Sequence, residues 1–273
     1  MWRVNRAVNV PPNRTVKALG AIVMPYATNR DIRIWYEVEG EGAPLILHHG
    51  SFASGARWRD LGYVEELKHE NQLILIDARG HGASDKPHDS TAYDMASRVS
   101  DVTSVLDHLQ IARANFFGYS LGGWIGFGLA KHAPTRFHSL TLGGAHPFAE
   151  SLQRLRDGVS GGMVGFISMV KQVYGPFITP GMLACHEAND LEALLASSQD
   201  RSDFSEVLST MRMPCLLFAG EDDPRLNAVR ECAHKIPDAA FFSLPGCGHV
   251  AGLARNDLVL PHVTAFLRKV GRC

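Results

Sequence analysis

Three short stretches of this chain hold side chains that together could cleave an acyl bond. In "NFFGYSLGG", residues 115–123, Ser120 stands between Gly118 and Gly122 directly after an apolar run. A serine hydroxyl is a poor nucleophile near neutral pH and needs a base within hydrogen-bond reach, itself oriented by a carboxylate. "LPGCGHV" offers His249 in a glycine-bracketed turn, and "CLLFAGEDDP" offers Glu221, Asp222 and Asp223 at the end of another apolar run.

A second Gly-x-Ser-x-Gly match, around Ser160, serves as an internal control. A nucleophile elbow needs a strand delivering the serine to a sharp turn, small residues on either side, and a helix leading away. "ANFFGYSLGGWIGFGLA" supplies all three parts. Ser160 instead follows the charged segment "SLQRLRDG" and is expected in a loop. For Ser120 the plainer alternative is a serine capping a helix after a strand.

The elements that must position these residues alternate along the chain. "DIRIWYEVEG" has near period-2 alternation and reads as an edge or antiparallel strand. "PLILHHG", "QLILIDARG", "ANFFGYS", "HSLTLGGA", "PCLLFAGEDD" and "AAFFSLPGCGH" are apolar on both faces, as buried parallel strands must be. Helical patterns lie between them. Trp58, Leu61, Val64 and Leu67 share a face, as do Met95, Val99, Val102, Leu106 and Leu109, a segment that Thr91 could cap. The alternation predicts an α/β fold with a mostly parallel sheet flanked by helices. It lapses over 145–205, which reads as a helical cap inserted between strands, leaving 24–144 and 206–273 as the core.

Residues 1–23 carry Arg3, Arg6, Arg14 and Lys17, and no acidic residue precedes Asp31. They read as a poorly ordered extension, with an acid-poor organellar presequence as the alternative. No secretory core is evident, so a cytoplasmic location is expected. A net charge of −1 gives no global field for nucleic acid or an anionic membrane, and no apolar run is long enough to span one. A small-molecule substrate is favoured, and whether the chain forms a homo-oligomer stays open. The five cysteines lack a CxxC pair, and "HEAND" at His186 lacks the second histidine of HExxH, so neither a disulfide framework nor a metal is expected.

With these motifs in order, "HHGSFAS", "DARGHGASDKP", "GYSLGG" and the pair "GEDDP" with "GCGH", the chain resembles the α/β-hydrolase superfamily from Met24 onward. The group it resembles contains small esterases, lactonases, carbon–carbon bond hydrolases and cofactor-free perhydrolases. The resemblance implies Ser120 as nucleophile, His249 as base and Asp223 as acid, with Asp222 as fallback. It implies an oxyanion hole from the backbone N–H groups of Ser51 and Leu121. His49, Asp77, Arg79, Gly80, Gly82 and Ser84 match positions that hold loops, and His48 reads as a core histidine. A serine at the elbow, where haloalkane dehalogenases and epoxide hydrolases carry an aspartate, leaves acyl transfer.

The implied activity is hydrolysis of carboxylic esters of small to medium apolar substrates, with no cofactor. Enol-lactone or carbon–carbon cleavage, perhydrolysis, and a non-catalytic binder of the same fold are the alternatives. Phe52, Trp124, Phe148, Phe166 and Tyr174 could line an apolar pocket, and His146 could overhang it or be a surface-loop histidine. For a substrate carboxylate, Arg57, Arg154, Arg156 or Lys171 are candidates.

Overall fold

The computed structural model describes residues 25–271, so the extension expected over 1–23 lies outside the described residues. All seven apolar runs form strands, and one further strand precedes them. In chain order these are β1 (Tyr26–Asn29), β2 (Ile32–Glu39), β3 (Ala43–His48), β4 (Asn71–Ile76), β5 (Ala114–Tyr119), β6 (Phe137–Gly143), β7 (Cys215–Gly220) and β8 (Ala239–Leu244). β1 escapes sequence reading because "YATN" is too short to display alternation; it pairs antiparallel with β2 across a turn at Arg30.

The eight strands form one sheet in the order β1-β2-β4-β3-β5-β6-β7-β8. From β4 to β8 all neighbours are parallel, and β2 alone runs opposite, antiparallel to both β1 and β4. Successive residues of a strand point to opposite faces, and here both faces are cores. Ile46, Ile74, Phe116, Leu140 and Leu217 join one cluster. Their neighbours Leu45, Leu47, Leu73, Phe117, Leu216 and Phe218 join the other. This explains the runs without polar alternation.

The helices are α1 (Ala56–Asp60), α2 (Tyr63–Leu67), α3 (Met95–His108), α4 (Leu121–His132), α5 (Gln153–Ser160), α6 (Gly162–Tyr174), α7 (Pro180–Glu187), α8 (Leu191–Ser197), α9 (Leu226–Lys235), α10 (His249–Ala254) and α11 (Asn256–Val270). The face predicted from Trp58 to Leu67 is split between α1 and α2. Asp94, rather than Thr91, caps α3, accepting the Ser97 N–H at 2.6 Å. Thr91 belongs to a preceding 3₁₀ turn capped by Asp89.

α5 to α8 all lie between β6 and β7, in the stretch where alternation lapses. Their small core, with Val159, Phe166, Val170 and Leu194 at its centre, closes over Phe52 of the loop after β3. The two ends of the insertion are clasped by a bridge in which Glu150 and Arg201 exchange backbone hydrogen bonds of 3.0 and 2.9 Å. No helix among the described residues is long and apolar enough to cross a membrane.

Candidate active site

Ser120 lies between the last residue of β5 and the first of α4, with φ 55° and ψ −109°. A side chain at positive φ costs on the order of 1–3 kcal/mol and persists only where its surroundings enforce it. Here the Ser120 N–H donates to Gly143 O at 2.8 Å, its carbonyl accepts the Trp124 N–H at 2.9 Å, and the Gly122 N–H donates to His49 O at 3.1 Å. The turn is so tight that a Cβ on Gly118 would lie 2.3 Å from Gly122 O, and one on Gly122 would lie 2.2 Å from His48 O. That is why "GYSLGG" needs glycine at both positions.

His249 opens α10 just beyond β8, and its carbonyl accepts the Tyr119 hydroxyl, which ties the histidine turn to the strand carrying the serine. Its Nε2 is 3.0 Å from Ser120 Oγ, and its Nδ1 is 2.6 Å from Asp223 Oδ2. A carboxylate can only accept, so Nδ1 carries the proton and the Nε2 lone pair faces the serine hydroxyl. Asp223 follows β7 with its side chain wholly buried, and its other oxygen accepts the Arg225 N–H at 2.9 Å. Burial alone would raise its pKa. The His249 hydrogen bond and charge, with the Arg225 N–H, outweigh that and hold the carboxyl below its ordinary range. Asp222 is exposed, and Glu221 accepts the Ser243 hydroxyl at 2.9 Å.

The loops around the serine are held by the buried "HHG" and "DARGHGAS" residues. His49 Nε2 accepts the Ala78 N–H at 3.0 Å while Nδ1–H donates to Gly50 O at 2.7 Å. Asp77 accepts the Gly55 and Ala83 N–H groups at 2.6 and 2.7 Å. Arg79 forms a two-pronged pair with Asp101 at 2.5 and 2.6 Å. His48 is buried beside them, its pKa pushed down to about 3 chiefly by desolvation.

Comparison with known proteins agrees with the fold. A family model described as the alpha/beta hydrolase fold matches residues 43–172. The enol-lactonase of Burkholderia xenovorans LB400 superposes with a TM-score of 0.80 at 23% identity, covering 89% of this chain and 100% of that one. The chain has the α/β-hydrolase fold. Among curated relatives, the dihydrolipoyllysine-residue acetyltransferase component of the acetoin cleaving system of Pseudomonas putida is 29% identical over 86% of this chain. The match spans 66% of that relative's length. The bifunctional esterase/perhydrolase of Acinetobacter calcoaceticus is 26% identical over 90% of this chain and 100% of its own.

The second serine match, Ser160, is the exposed last residue of α5 rather than a loop residue, and no strand delivers it. The aromatic side chains expected around a substrate divide into three groups. Trp124 lines a cavity of about 300 Å³ that begins at Ser51 and Leu121. Phe52, Phe166 and Tyr174 are instead packed into the core of the insertion, Phe52 edge-on to Phe166 at 5.2 Å. His146 and Phe148 pack on each other at 5.6 Å outside the cavity lining, and His146 is buried rather than a surface histidine.

Of the cations considered for a substrate carboxylate, none lines the cavity. Arg57 is buried against His186 and the Tyr174 ring, Arg156 pairs with Asp200, and Arg154 and Lys171 are exposed. The cavity wall contains Arg98 and Arg201, which the sequence reading did not select. Arg98 had a signal: it sits on the apolar stripe of α3, three residues after Met95 and four before Val102. Arg201 had none, being brought in only by the closure of the insertion on Glu150.

Proposed function

We propose that this protein is a serine hydrolase that cleaves carboxylic esters through an acyl-enzyme on Ser120. The observation that carries this reading is the relay from Ser120 Oγ to His249 Nε2 at 3.0 Å and from His249 Nδ1 to Asp223 at 2.6 Å, at a serine held at positive φ. The names of its relatives, esterase/perhydrolase and acetyltransferase component among them, fit acyl chemistry.

In this mechanism Ser120 Oγ attacks the ester carbonyl carbon as its proton passes to His249 Nε2. Asp223 keeps the imidazole in the right tautomer and stabilises the imidazolium. The C–O bond to the alcohol breaks, and the leaving oxygen takes the proton from Nε2. Water then attacks the acyl carbon, giving a proton to the same nitrogen, and the acid departs as the proton returns to Ser120 Oγ.

The carbonyl oxygen, negative in each tetrahedral intermediate, would be met by the N–H groups of Ser51 and Leu121. Leu121 is the first residue of α4, so its N–H has no intrahelical acceptor and stands at the positive end of the helix dipole. Each such donor contributes on the order of 3 kcal/mol to lowering the barrier. An internal ester, a lactone, would pass through the same steps.

The test is hydrolysis of 4-nitrophenyl esters from acetyl to longer acyl chains by the native chain and by Ser120→Ala. The reading predicts turnover by the native chain and loss by about 10³-fold or more in the variant. A folded native protein inert on every ester and lactone offered would remove it in favour of carbon–carbon cleavage or pure binding.

A further inference from the structure

The cavity beside Ser120 has an inner wall whose hydrogen-bonding capacity the protein does not fill. Arg98, Trp124 and Arg201 all line it, and all three are more than nine-tenths buried. Each has a buried N–H without an acceptor: Nη1 of Arg98, Nε1 of Trp124 and Nε of Arg201. Leaving one buried donor unpaired costs about 1–3 kcal/mol, and more for a charged group, so these enclosed N–H groups would be relieved by an acceptor that enters the cavity as the side chains turn toward it.

The charges point the same way. Arg98 is bound only by neutral oxygens, its Nε donating to Tyr93 O at 2.8 Å and its Nη2 to Ser197 O at 2.9 Å. The nearby Asp101 is already taken by Arg79 in a close pair. Arg201 pairs with Glu150 at 2.9 Å, but Glu150 is shared with Arg225, so two guanidinium groups face one carboxylate. Both guanidinium groups lie against the Trp124 indole, with their carbons 5.8 Å (Arg98) and 4.6 Å (Arg201) from the ring centre. Two carboxylates also border the cavity, and both are exposed and engaged: Asp94 caps α3, and Asp200 accepts the Leu152 N–H and pairs with Arg156. The buried wall of the cavity is therefore cationic, and the carboxylates that border it lie at its exposed rim.

We propose that this wall is a carboxylate site, and that the ester or lactone turned over at Ser120 carries a second, anionic group that docks against Arg98, Trp124 and Arg201. The proposal rests on the serine-hydrolase reading and narrows its substrates to acyl compounds bearing a carboxylate. Spacing suits this role. Trp124 is one helical turn beyond Ser120, roughly 6 Å along α4, so a few carbon atoms would separate the scissile carbonyl from the anion. Burial pushes the pKa of both arginines down to about 10, which still leaves each charged at neutral pH. The turn before α3 explains the filled Nε of Arg98 and α8 the filled Nη2, but neither explains its third nitrogen or the need for charge.

The experiment compares monoethyl and diethyl adipate, alike in chain and differing in one charge, as substrates of the native protein, Arg98→Gln, Arg98→Lys and Arg201→Gln. The native chain should prefer the monoester in kcat/KM by about tenfold or more. That ratio should collapse in the two glutamine variants, chiefly through KM, and recover in part in Arg98→Lys. Should a variant fail to fold, inhibition of the native chain decides: adipate should inhibit at least about tenfold more strongly than adipamide. A native chain that prefers the diester, or inhibition that is equal for acid and amide, overturns the site.

Binding of adipate to Ser120→Ala, measured by calorimetry, separates this idea from the reading beneath it. Adipate binding in a protein inert toward both esters would keep the anion site and sink the hydrolase reading. Turnover of both esters without preference, with no adipate binding, would do the reverse.

Discussion

The two sides of Ser120 differ in how completely their polar groups are matched. Toward β7 and β8, His249 uses both ring nitrogens and Asp223 both oxygens, and the whole array hangs on strand ends fixed by sheet hydrogen bonds. Toward α3 and the insertion, three buried donors on Arg98, Trp124 and Arg201 remain unmatched. A closed array can hold one geometry through every turnover, which proton transfer requires. An open one is completed only by a ligand, which is what selects a substrate.

The strongest way to break this contrast is at the closed side. Ser120→Ala should lower kcat/KM for any accepted ester by about 10³–10⁴-fold or more. Asp223→Asn should cost about 10³–10⁴-fold in kcat through loss of the imidazole tautomer, with the fold intact by circular dichroism. Asp222→Asn and Ser160→Ala should stay within about twofold of native in the same assay, since one side chain is exposed and the other ends a surface helix.

The elbow can be tested through stability. Gly122→Ala places a methyl group 2.2 Å from the His48 carbonyl, and backbone cannot yield as a flexible side chain does. We expect a loss of about 1–3 kcal/mol, read as a fall in Tm of several degrees. An alanine at the helical surface glycine Gly165, where the nearest atom is at 3.4 Å, should not lower Tm and serves as the reference.

The buried histidines His48 and His186 give a pH signature. His48, with its pKa near 3, and His186, near 4, are both lowered chiefly by desolvation. Their unfolded-state pKa is about 6.5, so below that pH the unfolded chain binds protons that the folded one does not. The stability they contribute is complete above pH 6.5 and is lost progressively toward pH 4 and below. Urea unfolding at pH 7.5 and pH 5 should differ by about 2 kcal/mol for His48 alone. The depressed Asp223 carboxyl acts in the same direction at still lower pH.

Much of this was legible in the sequence, and the reasons are specific. Strands β3 to β7 announced themselves because both faces are buried, β8 is an apolar run at the sheet edge, and Ser120 was separated from Ser160 by the strand before it and the helix after it. His249 followed from its glycine turn. Choosing Asp223 among three consecutive acids took the family pattern, and burial agrees, since Asp223 alone of the three is enclosed. β1 was missed because four residues show no period. Of the cavity wall, Trp124 was anticipated as an aromatic beside the elbow, but Arg201 was not, because it reaches the wall through a long-range bridge to Glu150 that leaves no local pattern. Phe52, Phe166 and Tyr174 were expected near substrate because they are aromatic and in or beside the insertion, but an insertion of this size needs those rings for its own core.

The central claim is that Ser120 becomes covalently acylated, and the most direct measurement is peptide mapping by mass spectrometry after treatment with a fluorophosphonate or a slowly deacylating 4-nitrophenyl ester. One adduct per chain is expected, on Ser120, absent in Ser120→Ala and formed much more slowly in Asp223→Asn. A folded protein that takes no adduct, or carries it on Ser160 instead, would contradict it.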